Sequence, residues 1–327
     1  MMRTFDYQRV FTVEDALAAL RHPESAFIAG GTELVNWLKE GIESPARLID
    51  ITGLPLDGIT VEDGVLRIGA LARMSDVAAH PVVADRFPVL AQSLLRAASP
   101  QLRNMATIGG NLMQRTRCPY FRADYALPCN KRVPGSGCAA HTGDTGSAAI
   151  FGWIPECVAT QPSDLAVALA ALDATVVVHG ADGAREIRAT EFHRLPDPDP
   201  AAHNELRPGE LITSVEVPDG LDARRSHYLK VRERVSYEFA VVSAAAAVCL
   251  DGTLITEARL ALGGVAHRPW RLWAAEEALA GLDIHDESAL RAAVEWSFGD
   301  ARPLPDNEYK VVLAQRAAVR ALQEAAA

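Results

Sequence analysis

The sequence predicts an α+β protein of two domains, and three observations carry that prediction. At 327 residues the chain is long for a single hydrophobic core. A short apolar run, a glycine turn and a helical pattern follow one another between residues 26 and 41, the order of a small α/β unit. Near the other end, Asp251-Gly252 separates the apolar runs 239–250 and 254–262, a strong β-hairpin signal. With 49% hydrophobic and 23% charged residues, the composition is that of an ordinary globular protein. A formal net charge of −10 with no basic stripe argues against nucleic acid or an anionic membrane surface and for a small-molecule or protein partner.

Taken in order, Thr12 with Asp15 opens a helix whose apolar face is Val13, Leu17 and Leu20. Residues 26–29 read as a strand, and Leu34, Val35 and Leu38 as a helix that Gly41 ends. Residues 47–51 and 66–70 look like strands, and 76–95 like one helix. A glycine turn is expected over 108–111, then a long irregular loop over 113–160. A helix over 163–172 and a strand over 174–179 follow. A boundary falls near Pro218-Asp219-Gly220. A final helix from about residue 308 carries Tyr309, Val312 and Leu313 on one face. The alanine-rich run 239–250 has helical propensity, but the hairpin signal favours a strand. The N-terminal ten residues lack the apolar stretch of a signal peptide, and no run approaches a membrane span. The expected location is cytoplasmic, or periplasmic if the chain is carried folded with a signal-bearing partner.

Four of the five cysteines, Cys118, Cys129, Cys138 and Cys157, fall within the loop. Disulfides fit poorly in a chain without an export signal. Core packing suits Cys249 but not the other four, whose neighbours are Arg, Pro, Gly and Asn. The remaining reading is four thiolates on zinc or on an iron–sulfur cluster. The gaps of ten, eight and eighteen residues depart from paired CxxC knuckles and favour a cubane, with zinc still open. Gly135 and Gly137 would bring backbone amides close to the cluster. Arg115, Arg117 and Arg122 read as a solvated face, a contact for an acidic partner or compensation for cluster charge. The nine histidines form no HxxxH or HExxH pair, so a histidine metal site is not expected. His141 reads as a solvated loop residue, and Phe151 and Trp153 as packing for the loop.

Gly30-Gly31-Thr32 and Thr107-Ile108-Gly109-Gly110-Asn111 are each, alone, most simply turns. As a pair, each with a polar residue placed to bond a phosphate, they point to one diphosphate-bearing ligand. Neither is a GxGxxG fingerprint. Asp164 reads plainly as a helix-start carboxylate, and Lys230 as a strand residue facing solvent.

Together these residues resemble a known family. Phe27, Ile28, Ala29, Gly30, Gly31, Thr32, Glu33 and Leu34, then residues 106–111, then Pro162-Ser163-Asp164, are similar to the flavin subunit or domain of the xanthine dehydrogenase (molybdenum hydroxylase) family. The likeness continues through residues 210–218, 228–230 and 262–266 and covers nearly the whole chain. The cysteine-bearing insertion departs from the basic form of the family. It resembles the flavin subunit of bacterial periplasmic aldehyde oxidoreductases, which carries a [4Fe–4S] cluster; benzoyl-CoA-type reductases of the same superfamily also carry a cluster insertion.

The resemblance implies a two-part FAD-binding domain of the PCMH/vanillyl-alcohol-oxidase type over residues 1–220, split as 1–55 and 56–220, with the insertion at about 113–160. A smaller C-terminal α/β domain of the CO-dehydrogenase-flavoprotein type would span 221–327. It puts residues 27–34, Thr107 and the amides around Gly109, Gly110 and Asn111 on FAD, and Asp164 on a sugar or ribityl hydroxyl. Ile212 and Lys230 would lie near the flavin ring. Cys118, Cys129, Cys138 and Cys157 would hold the cluster. The implied role is electron transfer, from a [2Fe–2S] subunit through FAD to an external acceptor, beside a large subunit with the molybdenum cofactor that oxidises an aldehyde or N-heterocycle. A self-contained flavin oxidase and a zinc-stabilised non-catalytic module are the rival readings.

Overall fold

A computed structural model gives the structure over residues 2–220 and 223–327. Met1, and Leu221 and Asp222 where the expected second domain begins, lie outside the described residues.

Three sheets organise the chain. The first is parallel, with β1 (Asp6–Arg9), β2 (Ser25–Ile28) and β3 (Arg47–Asp50) in the order β1-β3-β2. Parallel neighbours need crossovers, supplied here by the helices Val13–Leu20 and Leu34–Glu40. The first starts as expected, with Thr12 Oγ1 accepting the Asp15 amide at 3.1 Å. The second stops at Gly41, whose φ of 65° suits a residue without Cβ.

The second sheet is antiparallel: β4 (Ile59–Glu62), β5 (Val65–Gly69), β6 (Thr175–Gly180), β7 (Gly183–Arg188) and β8 (Leu211–Pro218), ordered β4-β5-β8-β6-β7. Leu66, Ile68, Val176, Val178, Val215 and Val217 alternate onto its buried face. The helix Asp164–Ala171, buried on every side, covers that face. The helix expected over 76–95 is instead three: Met74–Ala79, Pro81–Arg86 and Pro88–Arg96. Proline has no N–H and clashes with the preceding turn, so Pro81 and Pro88 each start a new helix.

The third sheet, β9 (Ser226–Val231), β10 (Val242–Asp251), β11 (Leu254–Gly263) and β12 (Trp270–Arg271), is antiparallel in the order β12-β11-β10-β9. The alanine run is thus a strand. Ala245 and Ala247 face the core beneath the helix Asp164–Ala171, while Val242, Ala244, Ala246 and Val248 face the C-terminal core. Burial on both faces overrides the helical propensity of alanine. The last helix, Tyr309–Ala326, buries a different stripe from the expected one. Tyr309 and Val312 are 49% and 50% exposed, whereas Lys310, Ala314, Ala317, Ala318 and Ala321 are buried. Small side chains let this helix lie close on β10, with Val319 and Leu322 buried beside them. Among the described residues no helix is long and apolar enough to cross a membrane.

Candidate functional site

A cleft runs between the first sheet and the rest of the molecule, narrowed at a waist where the two glycine turns meet. On one side of the waist, a wide lobe of about 340 Å³ is lined by Phe27, Trp37, Leu71, Leu211 and Ile212. On the other, a narrow lobe of about 160 Å³ is lined by Ala97, Asn111, Asp164 and Lys230. Thr32, Glu33 and Gly110 line both. The narrow lobe runs on past Arg117, Asp164 and Phe239 into a further cavity of about 360 Å³.

The waist depends on Gly30. A Cβ there would stand 1.9 Å from the Met105 carbonyl oxygen, so only glycine lets the two loops touch. Gly31 takes a φ of 70°. Among the described residues the amides of Gly30, Gly31, Thr32 and Glu33 meet no acceptor. The second turn behaves differently from expectation. Residues 108–112 form a short helix, Ile108–Leu112, capped by Thr107. The Gly109 amide donates to Ala70 O at 2.8 Å and the Gly110 amide to Thr107 Oγ1 at 3.2 Å, so neither is free for a phosphate. What this side offers is the Thr107 hydroxyl proton, which has no acceptor among the described residues. Asn111 accepts from Ser163 Oγ at 2.6 Å. Ile28 lines neither lobe, whereas Phe27 and Ala29 line the wide one.

Ile212 and Lys230, expected side by side, line different lobes. Ile212 belongs to β8 in the second sheet and Lys230 to β9 in the third, on opposite sides of the waist. Lys230 is buried and not solvent-facing, with Nζ 2.8 Å from Asp164 Oδ2 and 3.2 Å from the Arg96 carbonyl oxygen. Tyr228 Oη donates to Asp164 Oδ1 at 2.5 Å. Asp164 is therefore held inside the protein, although a carboxylate keeps lone pairs for a further donor. Burial pushes its carboxyl upward, against the pull of Lys230. Burial, then the Asp164 charge, push the Tyr228 phenol well above its ordinary value, so it remains a donor.

The Glu33 side chain points toward the cysteine loop. It accepts from Arg117 at 2.7 Å, from Trp37 Nε1 at 2.8 Å and from Arg122. Arg122 also reaches Glu40 at 2.8 Å, and Arg115 reaches Glu43 at 2.5 Å while lying over the Trp37 ring. The three arginines are thus neither a solvated face nor a contact for an acidic partner. They fasten the loop to the helix Leu34–Glu40.

All four loop cysteines are free thiols and line one small pocket. Among the described residues no three His, Cys, Asp or Glu side chains form a group that could hold a metal ion, so the expected ligand set is not assembled as such. Burial pushes the Cys118 thiol up to about 11 and raises Cys157 as well. Cys129 and Cys138 pair across a tight hairpin. Gly135 and Gly137 take φ of 83° and 97° to make the turn, and the role given to Gly137 needs correction, because its amide donates to Asn130 Oδ1. His141 is exposed and bonds the Pro155 carbonyl; Phe151 stacks on Trp270 at 4.9 Å and Trp153 donates to Arg302 O, so both aromatics pack the loop. Cys249 lies in β10.

Sequence reasoning missed a basic layer behind the pocket. Lys131, the buried His193 and His267, and the half-buried His203 gather there. Burial lowers His193 to about 4 and His203 to about 2, leaving both neutral. Scattered along the chain, these histidines have no spacing signature; the only cue is that His267 directly follows the 262–266 segment.

A family model described as "FAD binding domain in molybdopterin dehydrogenase" matches residues 3–220, and one described as "CO dehydrogenase flavoprotein C-terminal domain" matches 227–325. The chain is 47% identical to the aldehyde oxidoreductase FAD-binding subunit PaoB of Escherichia coli K12, covering 100% of this chain and 99% of that one. It is 26% identical to the carbon monoxide dehydrogenase medium chain of Afipia carboxidovorans, covering 99% and 97%. A solved carbon monoxide dehydrogenase from Hydrogenophaga pseudoflava superposes with a TM-score of 0.76 at 26% identity, over 99% of this chain and 98% of that one. The chain therefore belongs to the xanthine dehydrogenase/molybdenum hydroxylase family, as an FAD-binding subunit of its oxidoreductase complexes.

Proposed function

We propose that this chain is the FAD and iron–sulfur subunit of a heteromeric, molybdenum-dependent aldehyde oxidoreductase. It would take electrons from a [2Fe–2S] small subunit, whose source is a large subunit bearing the molybdenum cofactor, and deliver them to an external acceptor. Residues 1–220 form the FAD-binding domain and 221–327 the C-terminal domain. The observation that carries the reading is the waist: four unpaired amides in a row, at residues 30–33, between two lobes of unlike character. The full-length likeness to an aldehyde oxidoreductase subunit favours aldehydes over N-heterocycles.

FAD, when bound, exchanges electrons singly or in pairs. The chain's residues divide the binding. The amides of residues 30–33 and the Thr107 hydroxyl take the diphosphate. The apolar wide lobe, with Phe27 and Ile212, takes the adenosine. The narrow lobe takes the flavin ring, where Lys230 opposes negative charge gained on reduction. Asp164 and Tyr228 hold Lys230 in place and leave one ammonium proton for the ring.

The donor chemistry of the cysteine pocket fits a [4Fe–4S] cluster: four thiols that form no disulfide, with Lys131 nearby to offset thiolate charge. Such a cluster supplies one-electron exchange. Cys118 lines both this pocket and the cavity adjoining the narrow lobe, so the two sites would share a wall.

The test is to count FAD, iron and acid-labile sulfide per chain after anaerobic purification. Cys129→Ser should lose its iron and keep its FAD. Zinc in place of iron would favour a structural knuckle. Reduction of the flavin by aldehyde in the isolated chain would favour a self-contained oxidase.

A further inference from the structure

His267 is a buried group with no place in the FAD reading. It is 6% exposed, its Nε2 lies 3.2 Å from Cys157 Sγ, and its Nδ1 is buried without a partner. Among the described residues it is the one side chain that hydrogen-bonds the sulfur of any of the four pocket cysteines. The two residues just before it are tied to both flanks of the segment that carries Cys157. The Ile150 amide donates to Val265 O at 2.8 Å, and the Gln161 amide to Ala266 O at 2.9 Å. The imidazole is therefore held against the sulfur by main-chain bonds on either side of it.

We propose that His267 is a positioning residue whose Nε2–H donates to Cys157 Sγ and raises the reduction potential of the cluster. The inference rests on the reading of the cysteine pocket as an iron–sulfur site. A thiolate bound to iron has no proton to give, so the hydrogen of an N–H···S contact must sit on the imidazole. That requirement selects the Nε2–H tautomer. It also accounts for the unpartnered Nδ1, which is then a bare lone pair and not a stranded donor. A reduced cluster carries one more negative charge, spread partly over its cysteine sulfurs. A fixed donor at one of those sulfurs is worth more to the reduced than to the oxidised form, and its removal lowers the potential. Lys131, held at 2.7 Å by the Pro200 carbonyl, remains in place when the imidazole is removed, so the effect belongs to the hydrogen bond.

The experiment uses the full chain with its iron and flavin. His267→Leu is expected to retain FAD, iron and sulfide while its midpoint potential, followed by EPR in a dithionite titration, shifts downward. His267→Gln keeps an N–H donor and should shift less. Equal potentials in His267→Leu and the unaltered chain would overturn the inference. A second measurement needs no variant: isotopically labelled histidine should alter the pulsed-EPR nitrogen couplings of the reduced cluster. No change on labelling would overturn it even if His267→Leu lost its iron. An unaltered chain without iron would instead bring down the cluster reading, a result distinct from iron present and potential unmoved.

Discussion

The loop at residues 30–33 and the short helix Ile108–Leu112 face each other across the waist, and they contribute to it in opposite ways. The loop leaves its main chain open: four consecutive amides have no acceptor, and Gly30 has no side chain to keep the facing backbone away. The helix closes its main chain. Gly109 donates to Ala70, Gly110 to the capping Thr107, and only the threonine hydroxyl keeps a proton to offer. On the proposed reading, a diphosphate at this waist would be gripped by backbone on one side and by a single side chain on the other. The lesson is that a glycine pair beside a threonine does not define a phosphate site; what matters is whether its amides are already bonded.

The strongest test of the contrast is Gly30→Ala. The new methyl would meet a backbone carbonyl at 1.9 Å, which no rotamer change can relieve. The two loops must part, and overpacking of this kind costs about 3 kcal/mol or more. The expected result is a chain without flavin absorbance and with a lowered denaturation midpoint. Full flavin occupancy in Gly30→Ala would mean that the loops need not touch for FAD to bind.

How far the sequence discloses such a site depends on how local its causes are. The Thr12 cap, the Gly41 stop and the Asp251-Gly252 turn are set by neighbours a few residues away and are legible from pattern alone. The two prolines that divide residues 74–96 are equally local signals, but the apolar period runs on through them. Other features depend on partners far along the chain. Glu33 meets Arg117 and Arg122 across 84 and 89 positions, and Lys230 meets Asp164 across 66. No periodicity reports such pairs, which is why Lys230 reads as a solvent-facing residue and the Glu33 side chain gives no sign of its arginine partners. Family resemblance names residues of which most line the cleft, and the two sheets show that Ile212 and Lys230 stand on opposite sides of the waist.

A smaller effect is expected on the side-chain half of the grip. Thr107→Ala removes the cap of Ile108–Leu112, a loss of about 1 kcal/mol in stability. It also removes the one hydroxyl proton offered to the diphosphate, and a charge-assisted hydrogen bond corresponds to a roughly tenfold rise in the FAD dissociation constant. Thr107→Ser should restore both, because its hydroxyl can accept from Gly110 and still donate. If Thr107→Ala lost stability but bound FAD as tightly as before, the helix would be scaffold alone and the grip wholly one-sided.

The smallest effect belongs to Gly109→Ala, and it isolates the main chain of the same helix. A Cβ at this position would lie 3.1 Å from Ala70 Cβ and 3.2 Å from Ala70 O, close enough to need a small adjustment. Alanine favours a helix over glycine by about 1 kcal/mol, which offsets that crowding, so the net change in stability should stay within about 1 kcal/mol. The Gly109 amide keeps its bond to Ala70 in either case. FAD affinity, measured by titrating the flavin-free chain, should therefore move by no more than about twofold. A tenfold loss would mean that the backbone at Gly109 meets the diphosphate after all, and the two turns would then grip it alike.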